Sequence, residues 1–449
     1  MDRPDVIVVG AGLAGLAAGL RLSERGKRVV VLEAKPYLGG RTASWDADGM
    51  EVESGLHRFL GFYSALPRLM RDAGIDMESA LVWEDEAEVR VPDGPRKVYG
   101  ASPARKPWLT LKSMLTARLV RPLGERARLA AFFLHGLFLY FVSPARLDRL
   151  TVRELADRHR LSDATIARIL VPLTEGIFFL PPERYSAYVL FGLAAQGALR
   201  PHKLGIAAFS GGMSGVLADP IADAIRARGC RVRPGMPVER LIVEEGRVAG
   251  VVAGGEELRA PETVLATSLA PAQRLVRAAF GETQWNRDML ALPSMPAATL
   301  QMELSRPAAS VDRTTFAPGT ILSTYSEQSR TTFKGKEGRV SVILSEPQRR
   351  LEEKPEAILA EAMRDAERVG LKLRDVREYR VVNHPADFYS LSPGSETLRP
   401  PQETPVPGLT LAGDYTRQKF LATMEGAVIS GERAAQIVLG RLSGEDRKP

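Results

Sequence analysis

The chain has 449 residues, room for two or three domains at ~150 residues each and for a large buried core. Hydrophobic residues make up 45% and charged residues 26%, which excludes disordered and collagen-like chains, and the single cysteine, Cys230, excludes an internal disulfide or a four-thiolate metal site. The formal charge is +7, but Ala101–Val142 carries seven bases against one acid, so the rest is nearly neutral and no comparable basic run suggests nucleic acid.

The N-terminus reads as a βαβ unit: strand Asp5–Val9, a glycine turn, helix Leu13–Arg25 and strand Arg28–Glu33. Acids and an immediate strand replace the basic-then-apolar order of a cleaved secretory signal, so a reducing, cytoplasmic location is expected. Gly10-Ala11-Gly12-Leu13-Ala14-Gly15 closes the strand and opens the helix. In that setting Gly10 permits the turn, Gly12 lets the backbone approach a pyrophosphate, Gly15 lets helix and strand pack closely, and Glu33 can hold ribose hydroxyls. An acid at that place disfavours a 2′-phosphate, leaving NAD or FAD. The Gly39-Gly40-Arg41 turn, able to add N–H donors and a guanidinium beside a longer pyrophosphate–ribityl chain, favours FAD, bound non-covalently.

Bases at Arg105, Lys106, Lys112, Arg118, Arg121, Arg126 and Arg128 precede the apolar stretch Leu129–Ser143. As a helix this stretch is about 22 Å long, short of the ~30 Å of a bilayer core, so it can lie on an anionic membrane surface or be a buried core helix with a solvated basic neighbour. Helical segments follow at Thr151–Arg160, Ser162–Leu180 and Tyr185–Leu199, and Phe178-Phe179 can line an apolar tunnel or belong to ordinary core. From Ser210 the pattern returns to glycine turn, helix and short strands. Then come strand-like Ala297–Leu304 and Arg339–Leu344, the amphipathic helix Glu356–Glu367, and a final strand and helix, Thr423–Leu439. Between these last two, Gly413-Asp414 can offer a carboxylate to ribityl hydroxyls, and the helix start at Met424, Gly426 and Ala427 can aim N–H groups at a flavin O2.

Together these motifs resemble the amine oxidase/phytoene desaturase superfamily of FAD proteins. Residues 53–63, ESGLHRFLGFY, and 411–431, LAGDYTRQKFLATMEGAVISG, are most similar to plant and cyanobacterial-type phytoene desaturases and squalene-associated FAD-dependent desaturases. The resemblance implies an α/β fold with a Rossmann-like (glutathione-reductase-like) FAD domain, an inserted α+β substrate domain and a helical membrane-associated region. The FAD domain is expected in parts at 1–85, 205–270 and 395–449, the helical membrane-contact region at 86–204 and the second substrate part at 271–394. Val238 matches the position whose backbone meets the adenine in such folds. Plant-type phytoene desaturases carry Pro-Pro-Glu-Arg before the helix that here starts near Val216; this chain has Gly212-Met213-Ser214-Gly215. That departure points away from phytoene itself more than from isoprenoids.

The implied reaction is desaturation or dehydrogenation of a long isoprenoid, carotenoid-like or squalene-derived, by hydride transfer to flavin N5. A quinone or oxygen would be the electron acceptor, on a protein held peripherally at a membrane. No Ser/His/Asp constellation or metal-spaced His/Cys cluster is present, and the polar candidates for catalysis are His57, Tyr415 and Glu425, each with an equally simple structural role. Two other readings use the same fold: an amine or protoporphyrinogen oxidase, and a non-catalytic prenyl-lipid carrier.

Overall fold

The computed structural model describes residues 3–94, 96–101, 105–106 and 123–444. The expected bases Lys112, Arg118 and Arg121 and the apolar residues between them lie outside the described residues.

Val6–Val9 and Val29–Leu32 are unbroken apolar runs, buried at every position, as strands covered on both faces must be. They lie at the middle of a five-stranded parallel sheet in the order Arg231–Arg233, Val29–Leu32, Val6–Val9, Glu262–Leu265, Leu409–Leu411. Three distant stretches of chain therefore meet in one sheet. The helices Leu13–Glu24 and Met424–Ser443 pack together on it, so closely that a side chain at Gly431 would overlap the Ala14 carbonyl. A three-stranded antiparallel sheet, Val238–Glu244, Arg247–Ala253 and Glu256–Arg259, lies beside it in sequence.

A seven-stranded sheet forms the other large layer, ordered Val376–Tyr389, Ser294–Leu304, Gly338–Ile343, Thr324–Glu327, Thr315–Phe316, Glu86–Arg90, Arg96–Gly100. It is antiparallel except where Thr315–Phe316 runs parallel to Glu86–Arg90. Helix Pro355–Arg368 covers one face with Ile358, Ala362 and Ala366, the apolar stripe of its amphipathic pattern.

Most expected elements lie within a few residues of their predicted ends, because local caps set the boundaries. Thr151 and Glu154 form a reciprocal capping box for helix Val152–Arg158, and the Ser186 hydroxyl caps helix Ala187–Ala198. The expected continuous helix Ser162–Leu180 is instead broken into short pieces. Pro172 has no N–H to give, a π-helical turn covers Ile166–Leu170, and the Thr174 hydroxyl donates back to the Leu170 carbonyl at 2.9 Å. The chain then leaves helical geometry at Phe179, φ +66°, which turns Phe178 and Phe179 towards the interior.

The apolar stretch after the bases is helix Leu123–Val142. The helix is half core and half surface: Phe132, Gly136 and Leu139 face the core, while Leu134, Phe138, Phe141 and Val142 are 60–69% exposed. A side chain at Gly136 would overlap the Phe191 ring, so the helix is seated tightly on Ala187–Ala198 and its outer face stays outward. No helix among the described residues is long and apolar enough to cross a membrane.

Candidate active site

One cavity of about 1,510 Å³ runs from the glycine turns into the layer between the two large sheets. It exceeds the ~300–1,000 Å³ of an ordinary small-molecule cleft, enough for a dinucleotide and a second molecule together.

The first end is built from backbone. Gly39, φ +111°, donates to the Ala11 carbonyl at 3.0 Å, which brings the two glycine turns edge to edge. A Cβ at Gly12 would meet nothing nearer than the Gly39 carbonyl at 4.0 Å, so Gly12 opens onto the cavity with Gly10, Gly39, Gly40 and Arg41. Gly15 does not line it: a Cβ there would overlap the Gly10 carbonyl, so its role is to let the helix meet the turn. The Glu33 carboxylate accepts from the N–H of Ala11 (2.8 Å) and of Lys35 (3.0 Å). One lone pair on each oxygen remains for a hydroxyl, and Met236 and Val238 stand at the same end.

Deeper in, Arg41 pairs with Asp414, which is 3% exposed, and its guanidinium lies 4.8 Å from the centre of the Phe388 ring. Gly413 donates to Ser430 Oγ at 2.9 Å. Buried Arg399 donates to the carbonyls of Asp414 (3.2 Å), Tyr415 (3.2 Å) and Gln418 (3.3 Å), which pins the loop carrying Asp414. Helix Met424–Ser443 starts at this wall with Thr423 as its cap. The Gly426 N–H is taken by the Thr423 hydroxyl at 3.1 Å and that of Ala427 by the Thr423 carbonyl at 3.1 Å. Ala427 and Met424 line the cavity and Gly426 does not, so of the three expected donors it is Met424, in the first turn where N–H groups have no intrahelical acceptor, that stands at the cavity.

Of the three catalytic candidates, only His57 reaches the cavity. Its Nδ1 is buried without a protein partner, beside Arg41, Arg58 and His384, and burial pushes the imidazole down to about 4, so it is neutral at physiological pH. Arg58 Nη2 is likewise buried without a partner. Glu425 is a correction: its carboxylate accepts from the N–H of Ser64 (2.7 Å), Ala65 (2.8 Å) and Leu66 (2.8 Å) and from Ser64 Oγ (3.0 Å), capping helix Ala65–Asp72. Tyr415 is a second correction, since its ring packs under Gly413 and neither ring nor hydroxyl faces the cavity. Sequence reasoning missed His384, Asp387 and Phe388, which arrive together on strand Val376–Tyr389; His384 links Asp387 (2.8 Å) to the Ser54 carbonyl (2.8 Å). No spacing joins them to residues 54–57; the contact is the tertiary one between His384 and the Ser54 carbonyl.

The far end is apolar: Phe133, Ile177, Phe178, Phe179, Leu190 and Leu193 line it, and the Phe179 ring rests 5.2 Å from Phe388. Among the described residues the carboxylates lining the cavity are Glu33, Glu239, Asp387 and Asp414, none of them in this apolar group. The fit to FAD is good on these grounds: an open glycine cradle, a half-satisfied Glu33, a buried Arg41–Asp414 pair and orphaned His57 Nδ1.

Flavin containing amine oxidoreductases match residues 13–439 as a family. The 15-cis-phytoene desaturase of Synechococcus elongatus is 26% identical, over 97% of this chain and 96% of that protein. A probable zeta-carotene desaturase from the same organism is 25% identical, over 97% and 98%. Among solved structures, cyclohexylamine oxidase from Brevibacterium oxydans has the same fold, with TM-score 0.74, 19% identity and coverage of 98% of this chain and 100% of that one.

Proposed function

The chain belongs to the flavin containing amine oxidoreductase family and is an FAD-dependent oxidoreductase, and from that premise we propose that it dehydrogenates a CH–CH bond of a long-chain isoprenoid, carotenoid-like or squalene-derived. The observation that carries this reading is the apolar half of the cavity, which continues directly from the Arg41–Asp414 pair and, among the described residues, has no carboxylate to receive an ammonium group. An amine substrate would enter such a space at the desolvation cost of an unpaired charge; a polyisoprene would gain ~25 cal/mol for each Å² of apolar surface buried. The curated relatives named as carotenoid desaturases agree with the choice.

When bound, FAD supplies at N5 the hydride acceptor that a carbon chain without acidic protons requires. The protein's share is to hold, orient and keep dry. Gly10, Gly12, Gly39, Gly40 and Arg41 hold the pyrophosphate, Glu33 and Val238 the adenosine end, and Asp414, fixed by Arg399, the ribityl hydroxyls. Phe179 and Phe388, packed against each other, form one apolar wall for the alkyl chain and exclude water. The carbon that loses hydride has a neighbour that must lose a proton, and His57 Nδ1 is the neutral, unpartnered atom offered to it.

The broad layer built on the seven-stranded sheet, with the helices before it, is the substrate part of the molecule. Helix Leu123–Val142 puts Phe133 in the cavity wall and Leu134, Phe138, Phe141 and Val142 outside, so a peripheral seat on an anionic membrane, on its cytoplasmic side, delivers substrate through this helix. A quinone in the same membrane, or oxygen, is the proposed electron acceptor. The test is the visible spectrum of the anaerobic holoprotein as liposome-borne squalene-type and phytoene-type polyisoprenes are added, with simple amines as control. Bleaching of the ~450 nm flavin band by a polyisoprene alone is expected. Bleaching by amines alone would overturn the proposal, and a chain that binds polyisoprene without bleaching would be a carrier.

A further inference from the structure

A second concavity, of about 330 Å³, lies behind the wall of the main cavity and shares Tyr63 and Leu204 with it. Its rim holds Arg71, Arg105, His202 and Lys203, and among the described residues no carboxylate lines it. The acids adjoining these residues in sequence are engaged elsewhere, Asp72 with Arg21 (2.7 Å) and Asp85 with Lys106. Its floor is Phe59, Met77, Trp83 and Leu204.

Separate elements hold this shape. Arg71 ends helix Ala65–Asp72, and Trp83 projects from strand Leu81–Glu84, its ring edge-on to Phe59 at 6.0 Å. His202 and Lys203 sit on the single turn Pro201–Lys203. That turn is drawn over Gly61 so closely that a Cβ there would overlap the Lys203 carbonyl, while the Gly61 N–H donates to Gly205 O at 2.9 Å. Arg105 lies over the Trp83 ring at 5.1 Å, which covers the face on which a nucleobase would stack.

We propose that this pocket binds the phosphate of an anionic phospholipid headgroup. Three permanent cations and a histidine around one small concavity suit a phosphate ester, with the apolar floor taking the carbon side of the ester. The lipid, rather than a soluble phosphate, follows from what lies alongside. Tyr140 stacks on Tyr188 at 5.2 Å whereas Phe133 meets Phe191 at 6.0 Å, so helices Leu123–Val142 and Ala187–Ala198 run antiparallel. The end of Ala187–Ala198, with Leu199 62% exposed and then the Pro201–Lys203 turn, therefore lies towards Leu123, 79% exposed at the start of the other helix, and away from Leu134, Phe138, Phe141 and Val142 at its far end. Exposed leucines on the pocket's side, with a longer apolar face further along the same helix, suit the acyl part of the same amphiphile.

This inference rests on the membrane seat proposed above, and the experiment separates the two. Full-length holoprotein is sedimented with phosphatidylcholine vesicles with and without phosphatidylglycerol, for wild type, Arg71→Ala, Lys203→Ala, the double variant and Lys372→Ala as an exposed base on another element. Each pocket substitution should reduce binding to phosphatidylglycerol vesicles about fivefold, equivalent to ~1 kcal/mol per base near an anionic surface, with Lys372→Ala unchanged. Turnover of detergent-dispersed substrate should stay at the wild-type level in all variants. Trp83 emission, obtained by subtracting the spectrum of Trp83→Phe, should respond to the vesicles and not to glycerol 3-phosphate. Equal losses for Lys372→Ala and the pocket variants, or a Trp83 response to glycerol 3-phosphate alone, would overturn the headgroup pocket and leave the membrane seat standing. Wild type that binds no vesicle would overturn the membrane seat itself.

Discussion

Glu53 stands one residue before the segment that forms the His57 wall, and it is 1% exposed. Its Oε1 accepts from the Met213 N–H at 3.1 Å, its own N–H donates to Gln301 Oε1 at 3.1 Å, and Gln301 in turn accepts from Arg339 at 2.6 Å. Burial outweighs these aids and the nearby Arg58 and Arg339, and pushes the carboxyl up from 4.5 to about 8. A carboxyl raised on folding keeps a proton that the unfolded chain has already lost, so stability falls as pH rises through that window and levels off above it. One proton is worth ~1.4 kcal/mol per pH unit, so the whole window amounts to at most about 5 kcal/mol. Glu53→Gln removes the titration and keeps shape and donor. Urea unfolding of both proteins at intervals from pH 5 to pH 9 should show curves that diverge up to about pH 8 and run parallel beyond it, with the variant the more stable above pH 7. Curves parallel throughout would refute the reasoning, because they would mean that Glu53 is ionised in the folded protein at every pH tested.

The two glycines of the first turn should fail differently. At Gly12 a Cβ meets nothing nearer than the Gly39 carbonyl at 4.0 Å, so Gly12→Val should fold with its normal Tm but purify colourless, whereas Gly15→Val overlaps the backbone of Gly10 and should not accumulate as folded protein; a yellow Gly12→Val would refute the cradle. Asp414→Asn should weaken FAD binding ~10–100-fold, measured by titration of apoprotein, since a charged hydrogen bond is worth ~1.5–3 kcal/mol. Unchanged affinity would mean that Asp414 serves only Arg41. Glu425→Ala should cost ~3 kcal/mol or more of stability by stripping the cap of helix Ala65–Asp72, seen as a lower Tm. A variant with unchanged Tm and abolished turnover would restore Glu425 to the reaction.

What could be read from sequence was what neighbouring residues decide among themselves. A turn that needs positive φ at Gly10 and Gly39 and an acid at the end of the second strand are requirements of local backbone geometry, and they appear at fixed spacing. That Glu33, Arg41 and Asp414 come to line one end of the same cavity was legible for that reason. Glu425 was misassigned because a helix-start acid next to a cofactor motif looks the same whether it faces the cofactor or reaches back to cap Ala65–Asp72. The ring of Arg58, His384, Asp387 and Phe388 around His57 was equally hidden, since it depends on a strand more than three hundred residues away closing on Ser54. The sequence by itself determined the dinucleotide cradle and the order of its strands and helices, because those follow from hydrogen bonds and dihedral angles between near neighbours. Only the tertiary structure decided which face of Leu123–Val142 is exposed and where Phe178 and Phe179 point, because both depend on the close seat of Gly136 on Phe191 and on the break at Thr174, where packing overrides helical periodicity.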